Sequence, residues 1–132
     1  MKAYITCPVT LTNKRIDFLQ EIQKAVESKG IETFVIEAGG TPEEIFDRDY
    51  NQIKSSDLII AEVSEPSHGV GIEIGMSFPL GLKRVLLFQK GSIVTKLAQG
   101  MPDTFIVEYE ELEDLKNNLN KILEKIKIGK VK

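Results

Sequence analysis

Hydrophobic and polar positions along the chain follow two rhythms. Short runs rich in β-branched and aromatic residues recur at residues 2–6, 31–36, 57–63, 83–88 and 104–107, and predict five strands. Between them the apolar residues fall at helical spacing. Ile16, Leu19, Ile22 and Val26 predict a helix that begins near Thr12 and stops at Gly30. Thr41-Pro42-Glu43-Glu44 predicts the start of a second helix running to about Ser55: Thr41 can cap, Pro42 suits the first helical position, and Glu44 closes a capping box. A polar, Gly-rich loop from Ser64 to Gly71 precedes a short helix over 72–81, and another short helix is predicted over 92–99. The last helix carries Leu112, Leu115, Leu119, Ile122 and Ile126. Its start is acidic (Glu108, Glu110, Glu111, Glu113, Asp114) and its end basic (Lys121, Lys125, Lys127), as the helix dipole favours.

Strict βα alternation implies one α/β domain over residues 1–132: a doubly wound, flavodoxin-like (Rossmann-like) parallel sheet of five strands in the order 2-1-3-4-5. The third strand is apolar on both faces and belongs in the middle. In such sheets a ligand sits beyond the strand ends where the order reverses, here the loops 7–12 and 64–72. Composition fits a globular chain, with 42% apolar and 28% charged residues, and excludes disorder. A net charge of −3 argues against a nucleic-acid partner. One cysteine, Cys7, excludes an internal disulfide, and with one histidine it makes a zinc site too poor in ligands. No apolar run is long enough to span a bilayer, and MKAYITCP lacks a signal-peptide core. The expectation is a cytoplasmic protein with no membrane partner and no cofactor.

The richest chemistry lies in Ser67-His-Gly-Val-Gly-Ile-Glu73. Gly69 and Gly71 allow close backbone approach, a helix start offers N–H groups to an anion, and the Ser67 hydroxyl can join them. The plain alternative is a Gly-rich turn that binds nothing. No Lys-Ser/Thr follows, so it is not a Walker loop, and its place after the third strand excludes a dinucleotide fingerprint. Glu73 is either a solvent-facing first-turn residue or a nucleophile or base aimed across the crevice. Asp49 shares a helical stripe with Ile45 and Ile53, where a carboxylate is paired or functional; a local cap or salt bridge is the alternative. Asp47 and Arg48 fall off that stripe and read as surface charges. Glu62 reads as a structural hydrogen-bond partner before it reads as a site residue. Tyr4 reads as a core tyrosine with an anchored hydroxyl, or as one reaching the crevice. His68 reads as solvent-exposed, and Thr95 and Lys96 could meet a neighbouring subunit.

Three segments, Asp47-Arg-Asp-Tyr50, Ser56-Asp-Leu-Ile-Ile-Ala-Glu-Val63 and Pro66-Ser-His-Gly-Val-Gly-Ile-Glu-Ile-Gly75, resemble the 2'-deoxynucleoside 5'-phosphate N-hydrolases of the nucleoside 2-deoxyribosyltransferase superfamily. The resemblance implies a homodimeric enzyme that cleaves the N-glycosidic bond of deoxynucleoside monophosphates. Glu73 takes the place of the nucleophile and Asp49 that of the carboxylate near sugar and base. Tyr4 takes that of the first-strand tyrosine beside the nucleophile and near C2'. Ser67 with the amides of Gly69 and Gly71 takes the place of the phosphate cradle, and Thr95 that of a residue lent by the partner subunit. The end of the first strand and its loop (Thr6, Cys7, Val9, Thr10, Leu11) would line the substrate. That loop departs from the family's Gly-Ser pattern, and Ile72 stands where tyrosine is common. The implied chemistry is attack of Glu73 on C1' and hydrolysis of the resulting ester, with Asp49 protonating or orienting the base. Base exchange by a deoxyribosyltransferase, a ribonucleotide N-glycosidase and a noncatalytic nucleotide-binding module are the alternatives.

Overall fold

The computed structural model describes the backbone of residues 1–8 and 13–131 and the side chains of residues 1–8 and 17–129. Five strands and five helices alternate: β1 (Lys2–Thr6), α1 (Asn13–Glu27), β2 (Glu32–Val35), α2 (Pro42–Lys54), β3 (Leu58–Glu62), α3 (His68–Ser77), β4 (Lys83–Gln89), α4 (Lys96–Gln99), β5 (Thr104–Tyr109) and α5 (Leu112–Val131). The strands form one parallel sheet in the order β2-β1-β3-β4-β5, as the alternation predicts. β3 is buried along its whole length, which is why it carries apolar residues on both faces.

Side-chain alternation sorts the core into two layers. Ala3, Ile5, Leu58 and Ile60 pack with α1 and α5, through Leu19, Ile22, Leu115, Leu119 and Leu123. Tyr4, Ile59 and Ala61 face the other way, against Ile53 of α2, Val70 and Ile74 of α3, and Ala98 of α4. The register sets Tyr4 opposite Phe34 and Ile59, and Thr6 opposite Ala61. Tyr4 and Thr6, two residues apart, therefore present their side chains to the α2–α3 side at the carboxyl end of β1.

The helices differ from the sequence reading in defined ways. α3 starts at His68 rather than 72 and ends at Ser77 rather than 81. Ser67, in extended conformation, caps it by accepting from the Val70 N–H at 3.3 Å. The SHGVG stretch is thus a cap and a first turn; low glycine propensity is outweighed by the cap and by burial of Val70 and Ile74. Gly81 takes φ +80° in the turn that follows. α4 spans only Lys96–Gln99 rather than 92–99. β5 reaches Tyr109, so Glu108 belongs to a strand and the acidic first turn of α5 is Glu113 and Asp114. The α5 core stripe includes Leu123, and Ile122 is only partly buried. The α2 capping box forms as read: Thr41 Oγ1 accepts from Glu44 N–H at 3.2 Å, and Glu44 Oε1 accepts from Thr41 N–H at 3.1 Å. No helix among the described residues is long and apolar enough to cross a membrane.

Arg84 is buried in β4 and ties three elements together. Nε donates to Thr104 Oγ1 at 2.9 Å, Nη1 to the Leu82 carbonyl at 2.9 Å and to Ser77 Oγ at 3.2 Å, and Nη2 to the Pro102 carbonyl. Its donors are satisfied by neighbouring oxygens, which makes an interior guanidinium tolerable.

Candidate active site

The order reversal lies between β1 and β3, and there the structure opens into a cavity of about 730 Å³. Its inner wall is Thr6 and Cys7 at the end of β1. One flank is α3, with Ser67, Gly69, Ile72, Glu73 and Met76. The other is α2, with Ile45, Phe46, Arg48, Asp49 and Tyr50, continued by residues 36–39 after β2.

Glu73 is 8% exposed and lines this cavity. Its carboxylate accepts hydrogen bonds from Tyr4 Oη on Oε2 and from Thr6 Oγ1 on Oε1, the latter at 2.9 Å. The two donors are the β1 side chains that share a face, so the strand's alternation aims the carboxylate. Burial pushes the Glu73 carboxyl above the usual range; the Tyr4 and Thr6 bonds pull it down; the Asp49 charge raises it again. Tyr4 is fully buried and stacked on Phe34 at 5.5 Å. Its hydroxyl is pushed far above the ordinary phenol range, by burial first and then by the Glu73 charge and hydrogen bond. It is therefore a donor at any accessible pH. Tyr4 meets Glu73 through its hydroxyl and is not itself among the residues of the cavity wall.

Asp49 faces the cavity as the stripe with Ile45 predicts. The stripe itself is not core, however: Ile45 and Phe46 are exposed, and Ile53 is the buried residue of α2. Periodicity marks the apolar face of a helix without saying whether that face meets protein or a cleft. Arg48 corrects the reading of a surface charge. It lines the cavity and bonds Asp49 Oδ1 through Nε at 3.0 Å. Phe46 and Tyr50 stack at 5.4 Å with nearly parallel rings at the same wall.

At the α3 end, helix geometry leaves the N–H groups of His68 and Gly69 without intrahelical acceptors, facing the cavity side that Ser67, His68 and Gly69 line. The Ser67 hydroxyl, accepting from Val70, keeps its proton to donate. Gly71 departs from its expected role: its N–H is bonded to the Ser67 carbonyl at 3.1 Å and it is not part of the wall. His68 is exposed at the rim. Cys7 is buried at the wall, with Sγ donating to the Pro8 carbonyl at 3.4 Å. Thr95 is exposed at the start of α4 and away from this cavity. Val9, Thr10 and Leu11 lie outside the described residues. Glu62 points to the other face of the sheet, where it accepts from Ser64 N–H at 2.7 Å, Ser64 Oγ at 2.8 Å and Tyr109 Oη. It is structural, as read first. Among the described residues no group of three or more His, Cys, Asp or Glu side chains could hold a metal ion.

Fold and site together define a class: a doubly wound α/β domain whose switch-point crevice holds a buried, hydrogen-bonded carboxylate opposite a second one. No protein-family model matches the chain. It is 26% identical to "Putative 2'-deoxynucleoside 5'-phosphate N-hydrolase 1" of Thermofilum pendens, across 93% of this chain and 95% of that one. It is 36% identical to the 5-hydroxymethyl-dUMP N-hydrolase of Rattus norvegicus, over 51% of this chain and 42% of the rat protein's length. Among solved structures, a CMP N-glycosidase of Clostridium botulinum superposes with a TM-score of 0.73 at 22% identity, over 91% of this chain and 99% of that one, an agreement of fold. The resemblance read from the sequence is borne out: the chain is similar to proteins named as 2'-deoxynucleoside 5'-phosphate N-hydrolases.

Proposed function

We propose that the protein hydrolyses the N-glycosidic bond of 2'-deoxynucleoside 5'-monophosphates, giving deoxyribose 5-phosphate and free base. The observation that carries this is Glu73, held by Tyr4 and Thr6 at the wall of a nucleotide-sized cavity and facing Asp49. The names of the relatives support the bond and the substrate class.

In this reading the 5'-phosphate sits at the start of α3, against the His68 and Gly69 N–H groups and the Ser67 hydroxyl, and brings C1' to Glu73. As the C1'–N bond breaks, its electron pair leaves with the base, which takes a proton from solvent in the open cavity. A Glu73 oxygen bonds to C1' and stabilises its positive charge. Water then adds to C1' and gives up a proton to solvent, the ester bond breaks, and the Glu73 carboxylate is restored. Tyr4 acts through Glu73, whose oxygen it orients. Asp49 is placed to accept a hydrogen bond from the base or from the entering water. Thr6 and Cys7 line the sugar.

The reading extends to a cytoplasmic homodimer. Ile93 and Leu97 are strongly exposed apolar residues beside and on α4, and Thr95 lies between them in the chain. A second copy covering that face would bring Thr95 to the phosphate end of its neighbour's cavity. Chromatography of deoxy- and ribonucleoside monophosphates after incubation with the protein tests the activity. Free base with deoxyribose 5-phosphate is the expected result. Exchange with an added base points to a transferase, and binding without release to a noncatalytic module.

A further inference from the structure

Arg48 lines the cavity, yet each nitrogen of its fork donates to an oxygen of its own chain. Nε donates to Asp49 Oδ1 at 3.0 Å, Nη2 to the Glu37 carbonyl at 2.9 Å, and Nη1 to the Gly39 carbonyl at 3.1 Å. Two of these acceptors belong to the segment after β2, where Glu37, Ala38 and Gly39 form part of the cavity wall. Residues 37–39 lie in neither strand nor helix, and Gly39 and Gly40 take φ of +92° and +116°. A backbone of this kind has no ladder to hold it, so side-chain bonds to its carbonyls decide its position. The third acceptor is the carboxylate that faces Glu73.

We propose that Arg48 is a positioning residue that fastens Asp49 and the 37–39 wall into one unit, fixing the spacing between the carboxylate and the surface against which the base lies. The proposal rests on the hydrolase reading. An arginine in a nucleotide cavity would otherwise be taken for a phosphate ligand. Here the phosphate end is the start of α3 on the opposite flank, and one N–H of each guanidinium nitrogen is already given to an oxygen of its own chain. The planar guanidinium reaches three acceptors in fixed directions; a lysine ammonium at the same place cannot span them.

With a deoxynucleoside monophosphate as substrate, Arg48→Ala is expected to lower kcat about ten- to a hundredfold, the scale of a misplaced catalytic group, while KM changes less than about threefold. Arg48→Lys should not restore the rate. In an Asp49→Ala background the same arginine substitution should cost clearly less than in the wild type, because only its hold on the 37–39 wall is left to lose. Independent, multiplying losses, or a loss confined to KM, would overturn the proposal. A second readout needs no turnover. The Nε–H signal of Arg48 in ¹⁵N NMR should exchange slowly in the wild type and lose that protection in Asp49→Ala; protection unchanged in the variant overturns the proposal. If the wild type releases no base from any deoxynucleotide while this signal behaves as expected, the hydrolase reading fails and the tether stands.

Discussion

A carboxylate buried beside Tyr4 and Thr6 is costly to ionise and well aimed once ionised. The two properties give Glu73 opposite effects on stability and on rate. Its folded pKa lies above the unfolded value of 4.5. The folded state then binds the proton more tightly, so this group's contribution to stability is present below pH 4.5 and is lost as pH rises through the folded value. Glu73→Gln, neutral at every pH, escapes that loss. Thermal melts should show the variant more stable than wild type at pH 8, with the gain shrinking towards pH 4; each kcal/mol relieved is worth roughly 3–6 °C in a chain of this size. In the proposed mechanism activity runs the other way, because Glu73 must be ionised to bond to C1' and the rate falls as pH drops through its pKa. Tyr4→Phe removes a bond that favours the charged form. The acid limb of its pH–rate profile should therefore move to higher pH, and a limb left in place would show that Tyr4 does not act through Glu73.

Elements place these residues, and their ends carry more information than their middles. Ser67 caps α3 and also faces the cavity, so Ser67→Ala should both lower stability by about 1 kcal/mol in urea titration and raise KM for the nucleotide. Thr41→Ala opens the α2 capping box and should lower stability by a similar amount. Arg84→Ala severs the ties among α3, β4 and the start of β5, and should cost about 2–4 kcal/mol in the same titration. The α2 start was legible because Thr, Pro and Glu stand in capping order. The α3 start was not: glycines at 69 and 71 look like loop residues, and only the tertiary burial of Val70 and Ile74 makes the segment helical. Arg84 gave no signal, since an arginine inside a strand run reads as an edge charge until its partners are in place.

For the whole molecule, five strand runs separated by helical spacings were enough to read the sheet order, because handedness and short connections leave few alternatives. The same one-dimensional pattern placed Asp49 on an inward face and left Glu73 open between solvent and crevice, where only the resemblance assigned it; both line the crevice. It could not separate core from cleft: Ile45, on the apolar stripe of α2, is exposed at the cavity, and Arg48, off that stripe, lines it. Which apolar side chains would meet a second copy in the proposed homodimer is equally hidden along the chain. At 81% exposure Leu97 is a candidate for that interface. If the proposed homodimer forms through this face, Leu97→Glu should yield a monomer by analytical ultracentrifugation, with reduced activity; an unchanged sedimentation coefficient would remove this face from the proposed assembly. The account as a whole turns on Glu73 bonding to C1'. The most direct measurement is the rate of base release from a deoxynucleoside monophosphate by the wild type and by Glu73→Gln. A loss of about a thousandfold or more, the scale of a missing catalytic group, is what the account predicts. Release at the wild-type rate by the variant would contradict it.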